Sequence, residues 1–139
     1  MLSKEQIMKV LSDQHTTLQD TGMPRNIDKR WLLTRQIVVI SGVRRCGKSY
    51  LLRQIIQKNN ERDYYFRFDD DRLINFTIED FQTLDVCFSE LYGVQHTYYF
   101  DEIQNIDGWE LYVRRLYNQG AKVYITGSNA KMLSREMGT

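Results

Sequence analysis

Cysteine, histidine and an excess of either charge are scarce in this sequence of 139 residues. Its two cysteines, Cys46 and Cys87, show no metal-ligand spacing, and a disulfide scaffold needs more cysteines in a smaller domain. Both are expected to be reduced thiols. The two histidines, His15 and His96, stand alone, and neither has a neighbour in the sequence that suggests metal binding or nucleophilic catalysis. Lys and Arg number 19 against 18 Asp and Glu, for a formal net charge of +1. No broad basic field marks nucleic acid as a partner, although a local patch is compatible with a neutral total. No apolar run approaches the roughly 20 residues that cross a bilayer. The opening MLSKEQIMKVL is amphipathic and lacks a signal peptide's apolar core and cleavage site. A cytoplasmic protein without a membrane partner is therefore expected. There is no internal repeat, no low-complexity segment and no guanine-reading N/T-K-x-D. The length suits one domain, and a hydrophobic content of 42% allows it a core.

What is present is an alternation of strand and helix patterns. Ser3 and Gln6 have capping-box spacing, and Ile7, Val10, Leu11 and Leu18 recur at helical intervals, which predicts a helix over 4–18. Gly22 and Pro24 end it and open a basic, polar linker through Arg25, Lys29 and Arg30. Ile37-Val38-Val39-Ile40 is a β-branched run of the kind buried on both faces of a parallel sheet. A helix over 48–57 follows, with Leu51, Leu52, Ile55 and Ile56 inward. Further strands are predicted at 64–68, 97–100 and 122–126. Between them lie helices over 78–92, entered from Thr77 and ended by Gly93, and 108–119, entered from Asp107 and ended by Gly120. Strands alternating with helices predict an α/β fold with a mainly parallel sheet between helical layers. The aromatics from Tyr64 to Phe68 and Tyr98 to Phe100, and Trp109, Tyr112, Val113 and Leu116, are assigned to sheet and helix packing.

One segment carries explicit chemistry. Gly42-Val43-Arg44-Arg45-Cys46-Gly47-Lys48-Ser49 fits G-x-x-x-x-G-K-[ST] at every position, between a predicted strand and a predicted helix. Glycines let the backbone wrap a phosphate with its N–H groups inward, and the helix N-terminus adds partial positive charge. Lys48 is expected on the β- and γ-phosphates of ATP and the Ser49 hydroxyl on Mg²⁺, with Tyr50 closing the nucleotide-binding segment. Cys46 reads as a small filler residue or as a thiol activated by the cations and helix end beside it.

The strand Tyr98-Tyr99-Phe100 ends in Asp101-Glu102, and ligands of open α/β sheets bind off the carboxyl ends of strands. Asp101 is expected to hold the Mg²⁺ shell and Glu102 to act as general base on water, against the plainer reading of a solvated turn. Ser128-Asn129 ends the next strand. Either residue contacts the γ-phosphate or the water, or caps a helix carrying Met132 and Leu133; the two roles are compatible. Asp69, Asp70 and Asp71 read as a charged strand exit, with a second acidic site as the alternative.

ISGVRRCGKSYLLRQII, YYFRFDDDRL and YYFDEIQNIDGWELYVRRLYNQGAKVYITGSNAKMLSRE together resemble the AAA+-type P-loop ATPases of archaea and bacteria. The resemblance implies a Walker A segment at 42–49, a Walker B segment at 98–102 and a sensor-like position at Ser128 and Asn129. It implies a P-loop three-layer sandwich whose P-loop strand lies centrally, beside the strands ending in Asp101 and Thr126. It divides the chain into a helix and linker over 1–29 and an ATPase core over 30–139 that is incomplete at its C-terminus. Members of that family continue through a fifth strand, a helical lid and a further domain, so a C-terminal domain or neighbouring subunit is an expected partner alongside ATP and ADP. Without the fifth strand, the strand at 37–40 is expected to be an open edge, and the isolated chain to self-associate. The implied activity is Mg-dependent ATP hydrolysis driving a conformational switch. A nucleotide-dependent interaction module without turnover and a small-molecule kinase are the alternatives.

Overall fold

The computed structural model describes residues 1–18, 27–42 and 47–128. Within them the chain folds as an α/β sandwich around a four-stranded, all-parallel sheet. The elements in order are α1 (Lys4–Thr16), α2 (Lys29–Leu33), β1 (Val38–Ser41), α3 (Lys48–Lys58), β2 (Tyr65–Arg67), α4 (Asp80–Tyr92), β3 (Thr97–Asp101), α5 (Trp109–Asn118) and β4 (Lys122–Gly127). Two short 3₁₀ turns, Asp71–Leu73 and Ile103–Asn105, follow β2 and β3. The strand order is β1-β4-β3-β2.

Side-chain alternation along each strand builds two cores, one on each face. Phe66, Tyr98, Phe100, Val123 and Ile125 face α1, α4 and α5, meeting Ile7, Leu11, Phe81, Leu84, Phe88, Trp109 and Val113. Tyr65, Tyr99 and Tyr124 face the other way, onto Leu52, Ile55 and Ile56 of α3, with Trp31 and Leu32 of α2 beside them. The aromatics and the α5 face assigned to packing from sequence are buried.

Sheet order corrects one expectation. The strand that precedes the glycine-rich loop, β1, is, as expected, an edge of the described sheet and pairs with β4, but β4 separates it from β3, so it does not lie beside the strand ending in Asp101. The run at 37–40 is accordingly half-buried rather than covered on both faces, and Val39 is 39% exposed.

The other edge, β2, is covered by α1. Gln14 accepts from the Arg67 N–H at 2.7 Å and donates to the Arg67 carbonyl at 2.9 Å, standing in for a strand neighbour. α1 forms with the expected capping box of Ser3 and Gln6. It is tied to α4 by Asp80, a fully buried carboxylate that accepts from the Leu2 N–H at 3.3 Å and the Thr77 N–H at 2.9 Å.

Several helix boundaries differ from the sequence reading. Lys29 and Arg30, expected in a linker, begin α2, because the Asp28 side chain accepts from Arg30 N and caps it. Asp107 does not cap α5. Gly108 does so by conformation alone, at φ +84, and a Cβ there would lie 2.6 Å from Ile78 Cδ1. The helix expected from residue 78 starts at Asp80, whose carboxylate is taken by the Thr77 N–H. The first helix, expected over 4–18, ends at Thr16 with Thr17 as its cap, and Gly22 and Pro24 lie outside the described residues.

Candidate functional site

A parallel sheet sends the carboxyl ends of its strands to one side, and there the chain gathers its polar buried groups. β1 runs into Gly42, and Gly47 opens α3 from the left-handed region at φ +88, a conformation that disfavours any side chain. Lys48 and Ser49 therefore occupy the first turn of α3, beside the ends of β3 and β4. Val43, Arg44, Arg45 and Cys46 lie outside the described residues, as does Asn129. Tyr50 is 43% exposed, with Arg53 over its ring at 5.7 Å.

Asp101, the last residue of β3, is fully buried. Its carboxylate accepts from Thr126 Oγ1 at 2.6 Å and Ser49 Oγ at 3.3 Å on Oδ1, and from Tyr65 Oη at 2.8 Å on Oδ2. Burial, reinforced by the adjacent Asp101 charge, holds the Tyr65 phenol well above its ordinary pKa. Tyr65 thus remains a donor throughout the neutral range. Three hydroxyl donors thus satisfy this buried carboxylate.

Glu102 follows in the left-handed region at φ +56, and it is the one non-glycine residue with positive φ among those described. Such a conformation costs of order 1–3 kcal/mol and persists where surrounding contacts impose it. Those contacts are visible. The Glu102 N–H donates to Thr126 Oγ1 at 2.9 Å, and its carbonyl accepts from Asn105 Nδ2 at 3.0 Å. Its carboxylate reaches Lys48 Nζ at 3.5 Å through Oε1. Oε2 accepts from Ser128 Oγ at 2.7 Å and Gln104 Nε2 at 3.0 Å. Both side chains of the Lys48–Glu102 pair are almost wholly buried, at 6% and 12% exposure. A buried pair of this kind gives little net stability, because desolvation offsets most of the attraction.

The structure therefore brings together Lys48, Ser49, Asp101, Glu102 and Ser128 from three separate stretches of sequence. Three further residues belong to the cluster that sequence reasoning did not assign to it. Tyr65 was placed in the packing set, and nothing in an aromatic run tells which ring carries its hydroxyl to the strand end. Thr126 was visible only as the last residue of a predicted strand. Gln104 ends the DEIQ run that helps carry the family resemblance, but nothing in that run assigned it a role.

The oxygen donors of Ser49 and Asp101 suit a hard divalent cation such as Mg²⁺, which takes one or two protein groups and completes its shell with phosphate and water. Among the described residues no group of three or more His, Cys, Asp or Glu side chains converges on a metal position. Asp69 and Asp70 are accounted for by local pairing, Asp69 meeting Arg67 at 2.7 Å and Asp70 capping the following 3₁₀ turn and pairing with Arg72 at 2.8 Å, while Asp71 is exposed. His15 pairs with Asp63 at 3.0 Å and stacks on Tyr92. Among the described residues no helix is long and apolar enough to cross a membrane.

Comparison with known proteins adds three findings. The sequence profile of a family described as AAA domain matches residues 34–139. An uncharacterized protein of Methanocaldococcus jannaschii is 42% identical over 109 residues, covering 78% of this chain and 24% of its own length. An uncharacterized protein of Haemophilus influenzae is 38% identical over 113 residues, covering 74% of this chain and 28% of its own. The chain thus spans about a quarter of the length of these relatives. No solved structure matches it.

Proposed function

The chain belongs to the AAA-domain family, and on that premise we propose that it binds Mg·ATP off the carboxyl ends of β1, β3 and β4 and hydrolyses it. The observation that carries this reading is the convergence of Lys48 on Glu102 at 3.5 Å and Ser49 on Asp101 at 3.3 Å, at the start of the helix that follows the glycine-rich loop.

Each group has a role set by its chemistry. The segment 42–49 is the Walker A loop, and its backbone N–H groups and the α3 N-terminus take the phosphates. Lys48 is the point charge for the β- and γ-phosphates, which requires its nitrogen to leave Glu102 as the nucleotide enters. Ser49 and Asp101 would hold Mg²⁺, Asp101 through water. The ion, when bound, neutralises charge on the phosphate oxygens. Glu102 accepts a proton from water as the water oxygen bonds to the γ-phosphorus and the bond to the β–γ bridging oxygen breaks, releasing ADP and phosphate. Ser128 stays within reach of the same carboxylate.

The longer relatives carry much more chain than this one. We assign the mechanical output, a conformational switch in those further parts, to the whole protein, together with any arginine that stabilises the transition state. Such an arginine is worth about 10³–10⁵ in rate, so this chain alone is expected to turn over slowly.

The test is binding of a fluorescent ATP analogue with Mg²⁺, beside Lys48→Ala and with GTP as competitor. Magnesium-dependent binding that the variant loses, and that GTP displaces weakly, is the expected result. Glu102→Gln is then expected to retain binding and lower turnover by about 10²–10⁴. Wild-type protein that is folded yet binds no nucleotide sinks the proposal. Full turnover by Glu102→Gln removes the assigned base.

A further inference from the structure

Gln104 Nε2 donates both to Glu102 Oε2 at 3.0 Å and to Ser128 Oγ at 3.3 Å, while Ser128 Oγ donates to the same Oε2 at 2.7 Å. The three side chains close a triangle. Its effect on Glu102 is asymmetric, because Oε2 receives both donors and Oε1 is left toward Lys48 at 3.5 Å. We infer that Gln104 is a positioning residue that fixes the rotation of the Glu102 carboxylate, so that Oε1 is the oxygen offered to the attacking water. The inference rests on the reading of Glu102 as the base.

Three further observations support it. The amide has only one workable orientation, since turning its oxygen toward Glu102 would set two acceptors against each other. In that orientation Gln104 Oε1 is buried without a hydrogen-bond partner among the described residues. An orphaned buried acceptor is unfavourable, a penalty the side chain would escape by swinging out to water. It is kept in place by the turn that carries it. Ile103 and Ile106, fully and almost fully buried, pin both ends of the 3₁₀ turn into the core, and Asn105 ties it to the Glu102 carbonyl. Gln104 therefore projects from a rigid platform beside a backbone held at positive φ. This is the arrangement that keeps a catalytic group within its narrow productive geometry.

The experiment compares wild type, Gln104→Met and Gln104→Glu in steady-state ATP hydrolysis, nucleotide affinity and thermal melting. Methionine keeps the length and loses the donor; glutamate turns the donor into a charge facing Oε2. The expected result is kcat lowered about 10–100-fold in Gln104→Met, and further in Gln104→Glu. KM and the dissociation constant of Gln104→Met are expected to stay within about twofold of wild type. Wild-type kcat in Gln104→Met overturns the inference while leaving the ATPase reading intact. A parallel loss of affinity, melting temperature and kcat also overturns it, assigning Gln104 to folding. Wild-type protein that binds nucleotide but shows no turnover removes the hydrolysis reading, and the positioning role falls with it.

Discussion

Thr126 holds two acids with one hydroxyl. It donates to Asp101 Oδ1 at 2.6 Å and accepts the Glu102 N–H at 2.9 Å, in a position with no exposure to solvent. Valine has nearly the same shape and neither bond. Thr126→Val should therefore leave a buried carboxylate short of a donor and a buried N–H without an acceptor. Because a bond to a charged group is worth about 1.5–3 kcal/mol and a neutral one about 1, urea unfolding is expected to show a loss of roughly 2–4 kcal/mol. A loss below about 1 kcal/mol would mean that water replaces the hydroxyl and that Thr126 does not fix Glu102 in its left-handed conformation. Tyr65 makes the same point from the other side of Asp101: a hydroxyl on an aromatic counted as packing becomes part of the site once β2 pairs beside β3.

At the scale of elements, α1 is attached to the sandwich by its apolar face and by two polar clamps at its ends. Gln14 closes the β2 edge, and Asp80 of α4 holds the Leu2 N–H. The Lys4–Glu90 pair beside it is solvent-exposed and adds little. Asp80→Ala removes an acceptor from two backbone donors, and the expected cost is about 2 kcal/mol. Its signature is local: amide exchange protection at Ile7, Val10 and Leu11 should fall more than protection at β3. Equal losses in both places would mean that α1 and the sheet open as one unit and that Asp80 is no separate clamp.

For the whole molecule, two groups with shifted titration give stability a defined pH dependence. Hydrogen bonds from the Arg72 guanidinium, with help from Gln14, hold the Asp70 carboxyl well below the usual carboxylate range. A depressed acid contributes stability above its unfolded pKa near 4 and loses it as pH falls below that value. Acid should therefore loosen the α1–β2 edge, where Asp70, Arg72, Gln14 and Asp13 meet. Lys122 behaves oppositely. Burial pushes it from 10.5 down to about 8, although its nitrogen donates to the carbonyls of Thr34 and Gln36. Between about 8 and 10.5 the unfolded chain binds more protons than the folded one, so this group makes stability rise with pH across that window. Melting temperatures of wild type and Lys122→Met over pH 7–10 check this: the rise should shrink in the variant. An equal rise in both would assign it to other groups.

The residue order alone singled out the glycine-rich segment at 42–49 and the Asp101-Glu102 pair as candidates, because both are short patterns read from neighbours along the chain. It also made the alternation of strands and helices legible, since hydrophobic period is a local property, and the parallel α/β sheet followed from that alternation. The capping box of α1 was readable for the same reason, in a run of four residues. What the sequence left undecided depends on contacts between distant segments. That β4 separates β1 from β3, that Gln14 of α1 closes the β2 edge, and that Tyr65, Thr126 and Gln104 reach the two acids all follow from how the strands are ordered and how helices and turns pack on them. A one-residue shift in register would turn Tyr65 and Thr126 to the opposite face while leaving every local pattern unchanged. Tertiary packing alone fixes that register, because only one setting buries both faces of the sheet and pairs the polar groups at its carboxyl end.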